Sequence, residues 1–134
     1  SSADGLHVGQ TDLPIKEARE ILSSAQIVGR SNATVKEALE SEAQSADYVA
    51  VGAIYPTDPK LNTRPAGLET LSQIKHLVRV PIVAIGGIKP ENASAVLNAG
   101  ADAICVTTAV TEADDPEAAA RQLVQLMAKG GSVA

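Results

Sequence analysis

Short β-branched runs alternate with longer Ala-rich amphipathic stretches along this chain, and that alternation restricts its fold more than any other feature. Strand-like runs occur at Gly5–Val8, Gln26–Arg30, Asp47–Gly52, Pro81–Ile85 and Ala103–Thr107. Helix-like segments follow at about Pro14–Ser23, Thr34–Ala43, Gly67–Leu77, Pro90–Ala99 and Pro116–Lys129. Five strands alternating with five helices predict parallel βαβ units. The strand runs are nearly continuous in apolar residues, which predicts a sheet covered on both faces. Local signals agree. Pro14 suits a first helical turn, Thr34 with Glu37 forms a capping box, and Gly100 is a left-handed helix end. Asp114 or Asp115 caps the last helix, which frays at Gly130-Gly131. Ala53–Ala66, with three prolines, is longer than a plain connection needs.

The chain has 134 residues, enough for one domain with a real core. A whole (β/α)8 barrel needs roughly 200 residues or more, so a doubly wound open sheet and a piece of a barrel both remain. With two Tyr, no Phe and no Trp, the core is built of Ile, Val, Leu and Ala, and no aromatic platform for nucleic acid exists. A net charge of −5 without a basic stripe also argues against nucleic acid. No window reaches the apolar length of a membrane span, and no secretion signal opens the sequence. The single Cys105 fits a reducing compartment, cytoplasmic or the stroma or matrix of an organelle.

In parallel α/β folds, ligands bind at the C-terminal strand ends, and the polar and glycine-rich clusters of this sequence fall there. Ile85-Gly86-Gly87-Ile88 lets the backbone approach an anion beside a helix N-terminus; the plain alternative is a tight turn needing positive φ. Thr107-Thr108 ends the next strand, and two such loops in succession form the usual barrel phosphate site. Asp12 is either a Mg²⁺ ligand or a helix N-cap. Lys60, near Thr57, is either a phosphate partner or a solvated lysine. Ser31 bonds a phosphate oxygen or closes a local turn. His7 and His76 lack partners at zinc-ligand spacing and read as packed or surface histidines. Cys105, mid-strand among apolar residues, reads as a buried, inert thiol.

The strings Asp4-Gly5-Leu6-His7-Val8-Gly9-Gln10-Thr11-Asp12 and Ala46 through Thr57, then Gly67-Leu68-Glu69, Val83 through Ile88, Asn92-Ala93 and Gly100-Ala101-Asp102, together resemble the thiamine phosphate synthase family. The resemblance implies five consecutive βα units of a TIM (β/α)8 barrel, equivalent to strands four to eight, with the first three units missing. It implies coupling of hydroxymethylpyrimidine diphosphate to a thiazole phosphate with release of pyrophosphate. It also implies Asp12 as a Mg²⁺ ligand, Ser31 and Lys60 on the pyrophosphate, and Thr57, Gly87, Thr107 and Thr108 on the thiazole phosphate.

Some positions depart from the family pattern. Pro59 stands where a threonine is usual, Arg30 where a small residue is common, and Ser31-Asn32-Ala33-Thr34 where Ser-x-His-Thr is usual. The missing units would be supplied by a second chain, or self-association would cover the open edges. The alternatives are a related thiazole tautomerase, which carries a histidine where this chain has Ala53, a non-catalytic phosphate-binding domain, and a flavodoxin-like open sheet.

Overall fold

The computed structural model describes residues 2–58 and 63–131. Its strands are β1 (Gly5–Val8), β2 (Ile27–Asn32), β3 (Tyr48–Val51), β4 (Ile82–Ile85) and β5 (Ala103–Cys105). The helices are α1 (Ile15–Ile21), α2 (Val35–Ala43), α3 (Gly67–Leu77), α4 (Ala93–Asn98), α5 (Thr108–Thr111) and α6 (Pro116–Gly131). All four strand pairings are parallel, and the strand order is β1-β2-β3-β4-β5. A flavodoxin-like sheet reverses its strand order at a switch point; this one never does, so that alternative falls.

Side chains alternate across a strand, and one face takes nearly all the burial. Val8 and Val28 pack with Ile15 and Ala46 in one cluster. Val49, Val51, Ile82 and Ala84 pack with Leu71, Ile74, Val96 and Leu123 in the other. The opposite face carries His7, Ile85 and Cys105, which are exposed. The expectation of a sheet covered on both faces is therefore corrected: the described helices cover one. The apolar content of the runs reflects that single deep face together with Ala50 and Val83 on the other. Cys105, expected to be buried, is exposed for the same reason.

Several boundaries move. β2 runs on to Asn32, so Ser31 lies within the strand and closes no turn. The fourth helix starts at Ala93 instead of Pro90 because Asn92 folds the entry: its Oδ1 accepts from the Lys89 amide at 2.8 Å and its Nδ2 donates to the Gly87 carbonyl at 3.0 Å. The short helix α5 has no apolar period to announce it. Thr34 caps α2 by accepting from the Glu37 amide at 3.1 Å, while Glu37 Oε1 reaches past the cap residue to the Ala33 amide at 2.9 Å. Asp115, of the two candidates, caps α6 through the Ala118 amide. That helix holds its form to Gly131.

A repeated device ties the N-terminal ends of the strands together. Asp47, just before β3, accepts from the first core amide of β2, Val28, at 2.7 Å, and pairs with Arg19 of α1. Asp102, just before β5, accepts from the Ile82 amide of β4 at 2.9 Å and pairs with Lys75 of α3 at 3.3 Å. Each aspartate follows a buried alanine, Ala46 or Ala101, and a residue at positive φ, Ser45 or Gly100. The Val28 amide bond holds the Asp47 carboxyl below its ordinary value of 3.8, with burial opposing and Arg19 adding to the drop. A depressed folded pKa stabilises above the unfolded value and loses that contribution as pH falls through the folded one.

Asp47→Ala is expected to cost about 2 kcal/mol by leaving the Val28 amide without an acceptor, read by urea unfolding at neutral pH. The gap between variant and parent is expected to narrow below about pH 3.8, the ordinary value. A gap that stays constant with pH would contradict the assignment.

Candidate functional site

The C-terminal ends of β1 to β4 surround an open cavity of about 460 Å³ lined by Gln10, Ser31, Asn32, Ala53, Thr63 and Arg64, among others. Its construction starts with a row across the sheet. His7, Gly29 and Tyr48 are direct register partners on β1, β2 and β3. A side chain at Gly29 would meet the Tyr48 ring, with Cζ only 2.0 Å from the added carbon. The missing side chain lets the ring lie over β2 and stack against His7, with centroids 5.8 Å apart. The Tyr48 hydroxyl then reaches His7 Nδ1 at 2.8 Å, while His7 Nε2 meets Ser31 Oγ at 2.7 Å. Burial lowers the His7 pKa from 6.5, with Asp12 pulling the other way. Burial raises that of Tyr48, and the Cys105 thiol adds to the rise.

Gln10 joins the first two strand ends. Its Nε2 donates to the Ser31 carbonyl at 2.7 Å and to Asn32 Oδ1 at 3.3 Å. Its own Oε1 accepts from Arg30 Nη2 at 3.2 Å. Arg30 is buried, 9% exposed, and its Nε has no hydrogen-bond partner among the described residues. The arginine that departs from the family pattern therefore acts from behind the cavity, as a clamp on the loop that carries Asp12. Asp12 is not the helix cap of the plain alternative: Pro14 holds that position, and Asp12 Oδ2 accepts from the Gly9 amide at 2.7 Å, closing its own turn. The other oxygen, Oδ1, has no partner among the described residues.

The Gly86-Gly87 turn packs against the loop after β3. Tyr55 donates its amide to the Gly86 carbonyl at 3.0 Å, and a side chain at Gly87 would meet Tyr55 Cβ at 2.8 Å. Both glycines also have positive φ, 107° and 65°, so the turn reading alone explains them. Thr57 lines an adjoining cavity that shares Ala53 and Thr63 with the first, and its hydroxyl bonds that of Thr63. Thr107 precedes α5, and Thr108 faces a separate depression beside α4 and α6. Of the residues read from sequence, Ser31 lines the main cavity, Asp12 sits on the loop beside it and Thr57 stands next door. Gly87, Thr107 and Thr108 occupy neighbouring strand ends outside its lining. Lys60 and Pro59 lie outside the described residues. His76 is on α3 with Nδ1 against the Ser72 carbonyl and lines none of these cavities.

Sequence reading missed Arg64, which lines the cavity and pairs with Glu37, and Tyr48 as the holder of His7. The second had a signal: His7 and Tyr48 are polar residues in otherwise apolar runs. No cluster of three or more His, Cys, Asp or Glu side chains stands at metal-holding distance among the described residues, nor is any of their helices long and apolar enough to cross a membrane.

Fold and cavity together define a parallel α/β protein with its candidate site in the loops at the C-terminal strand ends. The comparisons give that class a family. The family model described as thiamine monophosphate synthase matches residues 1–110, and the chain belongs to that family. It is 50% identical over 125 residues to a thiamine-phosphate synthase from Natronomonas pharaonis, covering 90% of this chain and 58% of the relative. It is 44% identical to one from Methanocella arvoryzae, covering 96% of this chain and 61% of the relative. The solved thiamine phosphate pyrophosphorylase from Pyrococcus furiosus superposes with a TM-score of 0.88 at 41% identity, covering 96% of this chain and 61% of that one. A 3-hexulose-6-phosphate synthase from Salmonella typhimurium, with a TM-score of 0.77 at 22% identity, shares the fold. The chain spans about three fifths of the length of the curated relatives named here.

NMR titration of His7 is expected to give a midpoint below 6.5. Asp12→Asn is expected to move it lower still, because the Asp12 charge favours the imidazolium. An upward shift in the variant would remove Asp12 from the neighbourhood of His7.

Proposed function

We propose that this chain is part of a thiamine phosphate synthase, acting on hydroxymethylpyrimidine diphosphate and a thiazole phosphate. The observation that carries the reading is a convergence: Gln10, Ser31 and Thr63 line one strand-end cavity, with Asp12 on the loop beside it and Thr57 bonded to Thr63 in the adjoining one, in a chain 50% identical to a curated synthase. Ala53 lines that cavity without a titratable group, which leaves the tautomerase alternative without its histidine.

The residues suit a reaction in which diphosphate departs from the pyrimidine and the thiazole nitrogen attacks the resulting cation. Ser31 Oγ, steadied by His7, supplies a hydroxyl to a departing diphosphate oxygen. Lys60 is assigned to the diphosphate, and Thr57 with the amides around Gly87 and Thr107-Thr108 to the thiazole phosphate. Mg²⁺ fits here as one carboxylate plus water and phosphate oxygens, not as a protein cage. Asp12, with Oδ1 open, is the residue that would hold it, and the ion would supply charge neutralisation on the leaving group.

The same reading makes the five strands a segment of a single-domain (β/α)8 barrel. The sequential strand order and one-sided helix cover support it. The remaining units would come from elsewhere in the whole protein or from a second chain, in the cytoplasm or an organelle's stroma or matrix.

Native mass analysis coupled to a thiamine phosphate assay tests this. Assembly with a partner of roughly 70 to 100 residues, the remainder of a barrel, is expected to turn over both substrates with Mg²⁺. Asp12→Ala and Ser31→Ala are each expected to lower the rate by about a hundredfold. An assembled barrel that makes no thiamine phosphate from the two substrates would end the proposal.

A further inference from the structure

Among the described residues lining the main cavity, Arg64 is the charged one. Its backbone is fixed at the rim, where its carbonyl accepts from the Ala53 amide at 2.8 Å. Its guanidinium is not fixed in the same way. Nη2 meets Glu37 Oε2 at 2.6 Å, and the Arg64 side chain is 55% exposed where that of Glu37 is 17% exposed. We propose that Arg64 is an exchangeable anion-binding residue, resting on Glu37 and transferring its guanidinium to the phosphate oxygens of a ligand in the cavity. This inference rests on reading the cavity as a phosphorylated-substrate site, and it adds a selectivity for diphosphate-type anions.

Magnitudes favour the exchange. A partly exposed ion pair contributes little net stability, so leaving Glu37 costs little. A diphosphate offers paired anionic oxygens that match the planar guanidinium fork with charge-assisted bonds, which are stronger. Glu37 is also built to be left. Its other oxygen, Oε1, stays on the Ala33 amide at 2.9 Å, so the start of α2 remains capped. Burial pushes the Glu37 carboxyl up, yet hydrogen bonds from Arg64 and Ala33 and the charges of Arg64 and Arg30 bring it below 4.5. Arg30 remains nearby as a second cation when Arg64 moves away. Arg64 thus stands between an internal carboxylate and a cavity whose other described lining side chains are neutral.

Calorimetric titration with inorganic pyrophosphate at low ionic strength separates a ligand-binding cation from a structural strut. Arg64→Gln is expected to weaken binding by about tenfold. Glu37→Gln keeps an acceptor for the Ala33 amide and removes the competitor, so it is expected to tighten binding by about threefold. Opposite signs support the exchange; equal signs, or no change in either, overturn it. Urea unfolding of each variant checks that it folds. If Arg64→Gln does not fold, Glu37→Gln decides alone, and unchanged or weaker binding rejects the proposal. Binding by the parent that falls in Ser31→Ala but not in Arg64→Gln rejects the role of Arg64 and keeps the cavity. A parent chain that binds no pyrophosphate rejects both for this chain.

Discussion

Asp47 and Asp102 set the alignment on which everything at the other end of the sheet depends. A parallel strand that slips by one residue turns its buried side chains to the wrong face, and these strands are only three to six residues long. Hydrophobic matching over so few positions is a weak constraint. A carboxylate that accepts from the first core amide of the neighbouring strand is a strong one, because the bond forms at one register and orphans a polar group at any other. The paired cations on α1 and α3 bring each preceding helix into the same lock. With the lower end fixed, the residues at the upper end meet at predictable heights.

The upper end is held differently, by interlocking loops. Gln10 bonds β2 through its amide nitrogen and receives Arg30 through its oxygen, so the turn carrying Asp12 cannot drift from Ser31. Asn32, 2% exposed, is bonded to Ser41 of α2 and to the Ala50 carbonyl of β3. The Gly86-Gly87 turn is seated on Ala53–Pro56. The two ends of the sheet thus divide the work: charged staples give register below, and neutral amides with one buried arginine give loop position above.

The sequence made much of this legible, for reasons specific to particular residues. The strand and helix succession could be read because each element carries its own period, and Thr34-x-x-Glu37 marked α2 by capping chemistry alone. Ser31, Asp12 and the glycine turn were findable because strand ends are where parallel folds bind ligands. What stayed hidden depends on register and parity. Nothing local in Cys105 says that its face is uncovered, and nothing in Arg64 says that it folds back thirteen residues after β3 to meet the first turn of α2. The cap alternative for Asp12 stayed open in the sequence because the residue has the right identity and spacing; only the turn closed on Gly9 shows how its carboxylate is engaged.

The contact between Tyr48 and the bare α-carbon of Gly29 has an evolutionary consequence. The ring occupies space that any side chain at position 29 would fill, so position 29 is not free to change while the ring remains. An alanine at 29 would displace the ring and release His7, while a small residue at 48 would remove the reason for glycine. Across related chains the pair should therefore covary, with an aromatic at 48 obliging glycine at 29 but glycine at 29 leaving 48 free. A lineage losing the tyrosine would shed the His7 tether first and the glycine only later, so a chain retaining Gly29 without an aromatic at 48 would mark an intermediate along that route.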